Sequence, residues 1–99
     1  MYRGTTPLFE FTLPFSTELL AEAYITFKQG SNVVVEKKMS ECTCEGEKIT
    51  VRLTQAETLE FNHGYKVDIQ VRAKTIPGEA LASDIIQTTV ERILKEGEI

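Results

Sequence analysis

Hydrophobic and polar residues alternate along most of this chain with a period of two. From Pro7 to Leu13, Phe9, Phe11 and Leu13 fall on one face while Glu10 and Thr12 fall on the other. That is the pattern of a half-buried strand. Pro14-Phe15-Ser16 interrupts it, and Ser16 to Leu20 predicts one turn of helix. Ala23 to Gln29 alternates again with Ile25 and Phe27 inward. Gln29-Gly30-Ser31-Asn32 predicts a hairpin loop, and Val33 to Lys38 returns as its partner. The polar stretch from Lys38 to Lys48 predicts a short strand around Cys42 and Cys44 and a tight turn at Glu45-Gly46-Glu47. Ile49, Val51 and Leu53 then share a face opposite Thr50, Arg52 and Thr54.

The segment from Leu53 to Ala73 carries the most specific local signals. Thr54-Gln55-Ala56-Glu57 is a capping box, in which the threonine hydroxyl accepts from the Glu57 amide and the Glu57 carboxylate reaches back. A helical turn near residues 54–60 follows, then a turn at Asn62-His63-Gly64. The longest strand comes next, with Tyr65, Val67, Ile69, Val71 and Ala73 on one side. A tyrosine after such a corner is how many Greek-key sandwiches tie one sheet to the other. Thr54, Glu57 and Tyr65 are therefore expected to be structural staples. Ile76-Pro77-Gly78-Glu79 predicts a turn. Parity breaks in the last strand, Ala80 to Val90, where a bulge near Ser83-Asp84 would reconcile its apolar positions. Val90, Ile93 and Leu94 have helical spacing, with Gly97 as a stop, and predict a C-terminal helical turn.

About seven short strands separated by turn signals indicate an all-β protein, an antiparallel immunoglobulin-like or Greek-key sandwich. Residues 1–99 read as a single domain, with residues 1–6 as an N-terminal arm and 91–99 as a C-terminal tail. A chain of 99 residues buries roughly 65% of its unfolded surface, enough for one core.

Charge and composition remove some functions and leave others open. Eleven basic against fifteen acidic residues give a net charge of −4, the wrong balance for a sequence-independent grip on nucleic acid. No apolar run approaches the ~20 residues of a membrane helix, and the start, Met1 to Pro7, has no signal-peptide core. Cys42 and Cys44 lie on the same face of a strand, about 6.6–6.8 Å apart, with parallel side-chain directions. Free thiols and a reducing cytoplasm are the plain expectation.

Candidate chemistry is sparse. His63, the sole histidine, sits in a turn without a nucleophile at any diagnostic spacing. Cys42 and Cys44 supply one C-x-C pair, whereas structural zinc takes four ligands. Glu36, Glu41, Glu45, Glu47, Glu57 and Glu60 fall at loops or outward positions, not across a cleft as a glycosidase pair requires. Lys28, Lys37, Lys38, Arg52, Lys66, Arg72 and Lys74 are interleaved with acidic residues and read as a mixed-sign solvated face. The expectation is no catalytic residue, no metal and no cofactor. Val90, Ile93, Leu94 and Ile99 are too apolar for a free tail. They either fold back on the sandwich or dock on another copy or a partner protein.

Five stretches also carry a likeness. They are Arg3-Gly4-Thr5-Thr6-Pro7 leading into Phe9-x-Phe11, Ile25-Thr26-Phe27-x-Gln29-Gly30, Leu53-Thr54-Gln55-x-Glu57-Thr58-Leu59-x-Phe61, Val67-x-Ile69-Gln70-Val71-Arg72, and Val90-Glu91-x-Ile93-Leu94-Lys95-x-Gly97. Together, and nearly end to end, they resemble a group of small proteins encoded in phages and prophages of Firmicutes among late structural genes. More loosely, the chain is similar to the immunoglobulin-like N-terminal domain of phage baseplate upper proteins. The resemblance implies a non-enzymatic structural or interaction protein, tail- or baseplate-associated, whose partners are other copies or other virion proteins. It would be made in the bacterial host cytoplasm and assembled into the virion. The alternative is an accessory module of a prophage that stays in the cytoplasm and binds a host protein or small ligand.

Overall fold

A computed structural model describes residues 1–99. Its strands are β1 (Leu8–Thr12), β2 (Leu20–Gln29), β3 (Asn32–Lys38), β4 (Thr43–Glu45), β5 (Lys48–Arg52), β6 (Val67–Thr75), β7 (Ala80–Ala82) and β8 (Ile86–Thr88). One short helix, α1 (Gln55–Leu59), joins β5 to β6, and single 3-10 turns occupy Thr17–Leu19 and Met39–Glu41.

The strands form two antiparallel sheets. One has the order β1-β5-β4; the other has the order β3-β2-β6, with β7 and β8 sharing the far edge of β6. In an immunoglobulin-like sandwich strands B, E and D lie in one sheet, and C′, C, F and G in the other. β1, β5 and β4 hold the first set of places; β3, β2 and β6 hold C′, C and F. β7 and β8 together make a divided G. No strand stands beside β1 in the place of A.

Alternation explains the core. Phe9 and Phe11 on β1, Ile25 and Phe27 on β2, Ile49 and Val51 on β5, and Val67, Ile69 and Val71 on β6 turn inward. Phe27 sits at the centre, edge-on to Phe9 at 5.3 Å and to Phe61 at 6.4 Å between ring centroids. Burying such a ring contributes about 2–3 kcal/mol.

The capping box forms as the sequence indicates. Thr54 Oγ1 accepts from the Glu57 amide at 3.1 Å, and Glu57 Oε1 accepts from the Thr54 amide at 2.8 Å. Thr58, fully buried, donates its hydroxyl to the Thr5 carbonyl at 2.8 Å and so anchors the N-terminal arm. The bulge is also present. β7 pairs Leu81 with Ala73, and β8 pairs Ile86 with Ile69. Between them Ser83 keeps the ladder closed: its amide donates to the Val71 carbonyl at 2.9 Å and its hydroxyl accepts from the Val71 amide at 3.0 Å.

The last of the expected strands is cut in two, so that about seven become eight. Two expectations need correction. Tyr65 is not a staple. β6 begins only at Val67, and the turn at Gly64, with φ +83°, leaves the Tyr65 ring 68% exposed. The C-terminal helical turn is absent. The Glu91 amide donates to the Met1 carbonyl at 2.8 Å, and the Arg3 amide to the Glu91 carbonyl at 3.2 Å. Strand-like pairing with the N-terminal arm thus holds the groups that a helix would need, and a helix this short is marginal in any case.

Candidate interaction surface

The corner is closed by side chains that the sequence hides among solvated charges. Lys37 follows Val33 and Val35 at period two, and its inward position opposite Ile25 buries it. Its ammonium meets the Glu57 carboxylate at 2.6 Å. One carboxylate therefore caps α1 and ties it to β3 in the other sheet. Partial burial pushes the Glu57 carboxyl upward, but the hydrogen bond and charge of Lys37, with the Thr54 amide, outweigh it and hold the group below the ordinary glutamate range. Gln29 plays a similar part at the inward end of β2. Its amide donates to the Asn62 carbonyl at 2.8 Å and accepts from the Asn62 amide at 2.8 Å. These two bonds, with a longer one to the Tyr65 carbonyl, replace the tyrosine staple. Arg3 completes the set by donating to the Leu59 carbonyl at 3.0 Å and the Phe61 carbonyl at 2.9 Å, the open carbonyls at the end of α1. Inward parity was the available signal for Lys37 and Gln29; Arg3 has none in its neighbours.

The four C-terminal candidates divide into two pairs. Val90 is buried in the core, and Ile93 packs half-buried, its Cδ1 only 2.9 Å from where a Cβ on Gly4 would lie. Leu94 and Ile99 are 96% and 92% exposed. The tail is tied down by surface contacts alone, Glu96 with Arg3 at 2.9 Å and the Ile99 backbone with the Gln55 side chain. Glu91 bonds the Met1 ammonium at 2.8 Å; that hydrogen bond first, then the Thr89 hydroxyl, holds its carboxyl low.

A second uncovered region lies along the divided G strand. Leu81 and Ile86 stand opposite the inward residues Ala73 and Ile69, so both face the interior side of the sheet. They are nonetheless 39% and 49% exposed, because no strand in the A position covers them. Between the end of β1 and this strand lies a mostly apolar cleft of about 240 Å³, lined by Leu13, Phe15, Val71, Ala73 and Leu81 among others. The edge of β1 beside it is open. The Leu53 amide donates to the Pro7 carbonyl and the Leu13 amide to the Glu47 carbonyl. That alternation turns the peptide groups of Leu8, Glu10 and Thr12 away from β5.

The remaining candidates do not assemble into a site. His63 is exposed in the turn after α1. Cys44 is exposed on β4, while Cys42 is half-buried and donates its thiol to the Lys38 carbonyl at 3.3 Å. Burial, then the neighbouring Cys44 and Glu41, pushes the Cys42 thiol up, so it is a poorer nucleophile than a free cysteine. No three His, Cys, Asp or Glu side chains converge as a metal site. On the outer face of the larger sheet, Tyr24 sits between Lys38 and Arg72 in register, and Lys28 stands opposite Asp68. This is the mixed-sign face that the alternation indicates. No protein-family model, curated protein or solved structure matches this chain.

Proposed function

We propose that this chain is a non-enzymatic protein-interaction module that serves as a structural component of a phage or prophage particle, associated with the tail or baseplate. One observation carries the interaction role: apolar side chains on the interior side of the divided G strand, Leu81 and Ile86, are left 39% and 49% exposed. Exposed apolar area next to an unpaired strand edge is the usual starting point for protein association. The phage setting rests on the resemblance of the five sequence stretches. Mass spectrometry of purified particles is the test. Recovery of this chain at a fixed ratio to tail proteins supports the reading, and particles devoid of it overturn the virion role.

The second reading is a cytoplasmic accessory module that binds a host protein. The loop end favours it: the Gln29 clamp fixes the turn carrying Tyr65, and exposed Val33 stands in the adjoining hairpin. Rigid loops presenting tyrosine are well suited to recognition. A host protein captured by the wild type and lost with Tyr65→Ala favours this reading over the first.

A further inference from the structure

We propose that the slot beside β1 receives the C-terminal segment of a second copy, with Leu94 and Ile99 of one molecule packed on Leu81 and Ile86 of the next. The inference rests on the interaction-module reading above and names its partner.

Three features specify the occupant. The first is width. The slot corresponds to one missing strand of a two-sheet sandwich, and its wall is the row of free peptide groups at Leu8, Glu10 and Thr12. An extended segment pairs with such an edge at about 4.8 Å. A helix has already bonded its own backbone groups and cannot pair with this edge.

Spacing is the second. Leu81 and Ile86 are five positions apart, and a regular strand would place them on opposite faces. The irregular residues around Ser83 bring them to one side. Leu94 and Ile99 are also five positions apart, with Gly97 between them at φ +85°. A residue in that conformation lets two apolar groups of odd separation face the same way. Leu81 and Ile86 stand opposite Ala73 and Ile69, four residues of β6 apart and so separated by about 13 Å, within the up to about 17 Å that five residues of extended chain can span.

The third is direction. A molecule does not fill its own slot in this arrangement. Its tail is held by Arg3 and by Gln55, the first residue of α1, which follows β5. The slot lies on the other side of β1 from β5. The tie-downs are exposed contacts that a competing partner displaces, while Val90 and Ile93 keep the base of the tail in the body. The contact uses different surfaces on the two molecules, so it is heterologous and builds rings or open chains.

The experiment uses the full-length chain and two variants, Leu81→Asp and Leu94→Asp, with sedimentation velocity from micromolar to millimolar concentration. Both positions are exposed, and circular dichroism melts confirm that the variants fold. The wild type should associate beyond a dimer. Each variant alone should remain monomeric, its association weakened by about thirtyfold or more. Mixed in equal amounts, the two should form a dimer that grows no further, because one supplies an intact tail and the other an intact slot. A monomeric mixture overturns the proposal, as does a monomeric wild type. Association of both variants at wild-type strength also overturns it, yet leaves the interaction-module reading standing. The particle mass spectrometry fails or succeeds independently.

Discussion

Strand β6 is paired along both of its edges, and the strands on the two sides live in different surroundings. β2 runs beside it from Leu20 to Lys28, and its inward residues Ala23, Ile25 and Phe27 are buried. On the other side β7 and β8 make the same kind of backbone ladder, yet their inward residues Leu81 and Ile86 remain exposed. Backbone pairing is alike; the difference is whether the second sheet extends over the strand. β2 lies beneath a covered part of the sandwich, whereas the divided G strand lies beneath an empty place. Hydrogen bonding positions a strand, but coverage decides whether its apolar face stabilises the fold or awaits a partner.

The sharpest way to break this contrast is a pair of truncations. Phe27→Ala, on the closed side, should cost about 3–5 kcal/mol in urea denaturation through the cavity it leaves. Ile86→Ala, on the open side, should cost less than about 1 kcal/mol in the monomer. Equal costs would mean that the open side is covered after all.

Next in size is the corner. Glu57→Ala removes a helix cap and leaves the buried Lys37 ammonium with only its longer contact to Glu41 at 3.9 Å, at about 2–4 kcal/mol. The pH dependence follows from the same pair. A folded-state carboxyl held below its unfolded value means that protonation favours the unfolded chain. The Glu57 contribution is therefore complete above about pH 4.3, the ordinary glutamate value, and is lost as pH falls through the lower folded value. Glu57→Gln keeps an acceptor for the Thr54 amide but should flatten this acid limb, as followed by melting temperature between neutral and strongly acid pH.

A smaller effect belongs to the break in the G strand. Ser83→Ala deprives the Val71 amide of its acceptor and should cost about 1 kcal/mol, with increased exchange of that amide. The smallest belongs to Leu94→Asp, which should shift monomer stability by less than about 0.5 kcal/mol while suppressing association.

Much of this fold is written in the period-two pattern. The alternations of Phe9 to Leu13, Ile25 to Phe27, Ile49 to Leu53 and Val67 to Ala73 each mark a real strand, and the Thr54–Glu57 box and the irregularity at Ser83 are both present. The candidate surface was legible in part. Leu94 and Ile99 stood out as unplaced apolar residues, and both are free; Val90 and Ile93 carried the same signal but fold back. The vacancy beside β1 is not readable locally, because it depends on where a strand is missing in three dimensions. Tyr65 misleads for a similar reason. Its parity with Val67 is right, but the strand that would give the parity meaning starts two residues later. Lys37 and Gln29 had the inward parity of their strands, yet their partners lie twenty and thirty-three residues away along the chain.

The most direct test of the account is residue-resolved amide exchange of the wild type in dilute and in associated solution. The amides of Phe9 and Phe11 face β5 and should be protected in both states. Those of Leu8, Glu10 and Thr12 face the open slot, and should exchange freely when dilute and become protected on association, a change that Leu94→Asp abolishes. Association that leaves these three amides exchanging at their dilute rate would contradict the claim that the empty place beside β1 is where a second molecule binds.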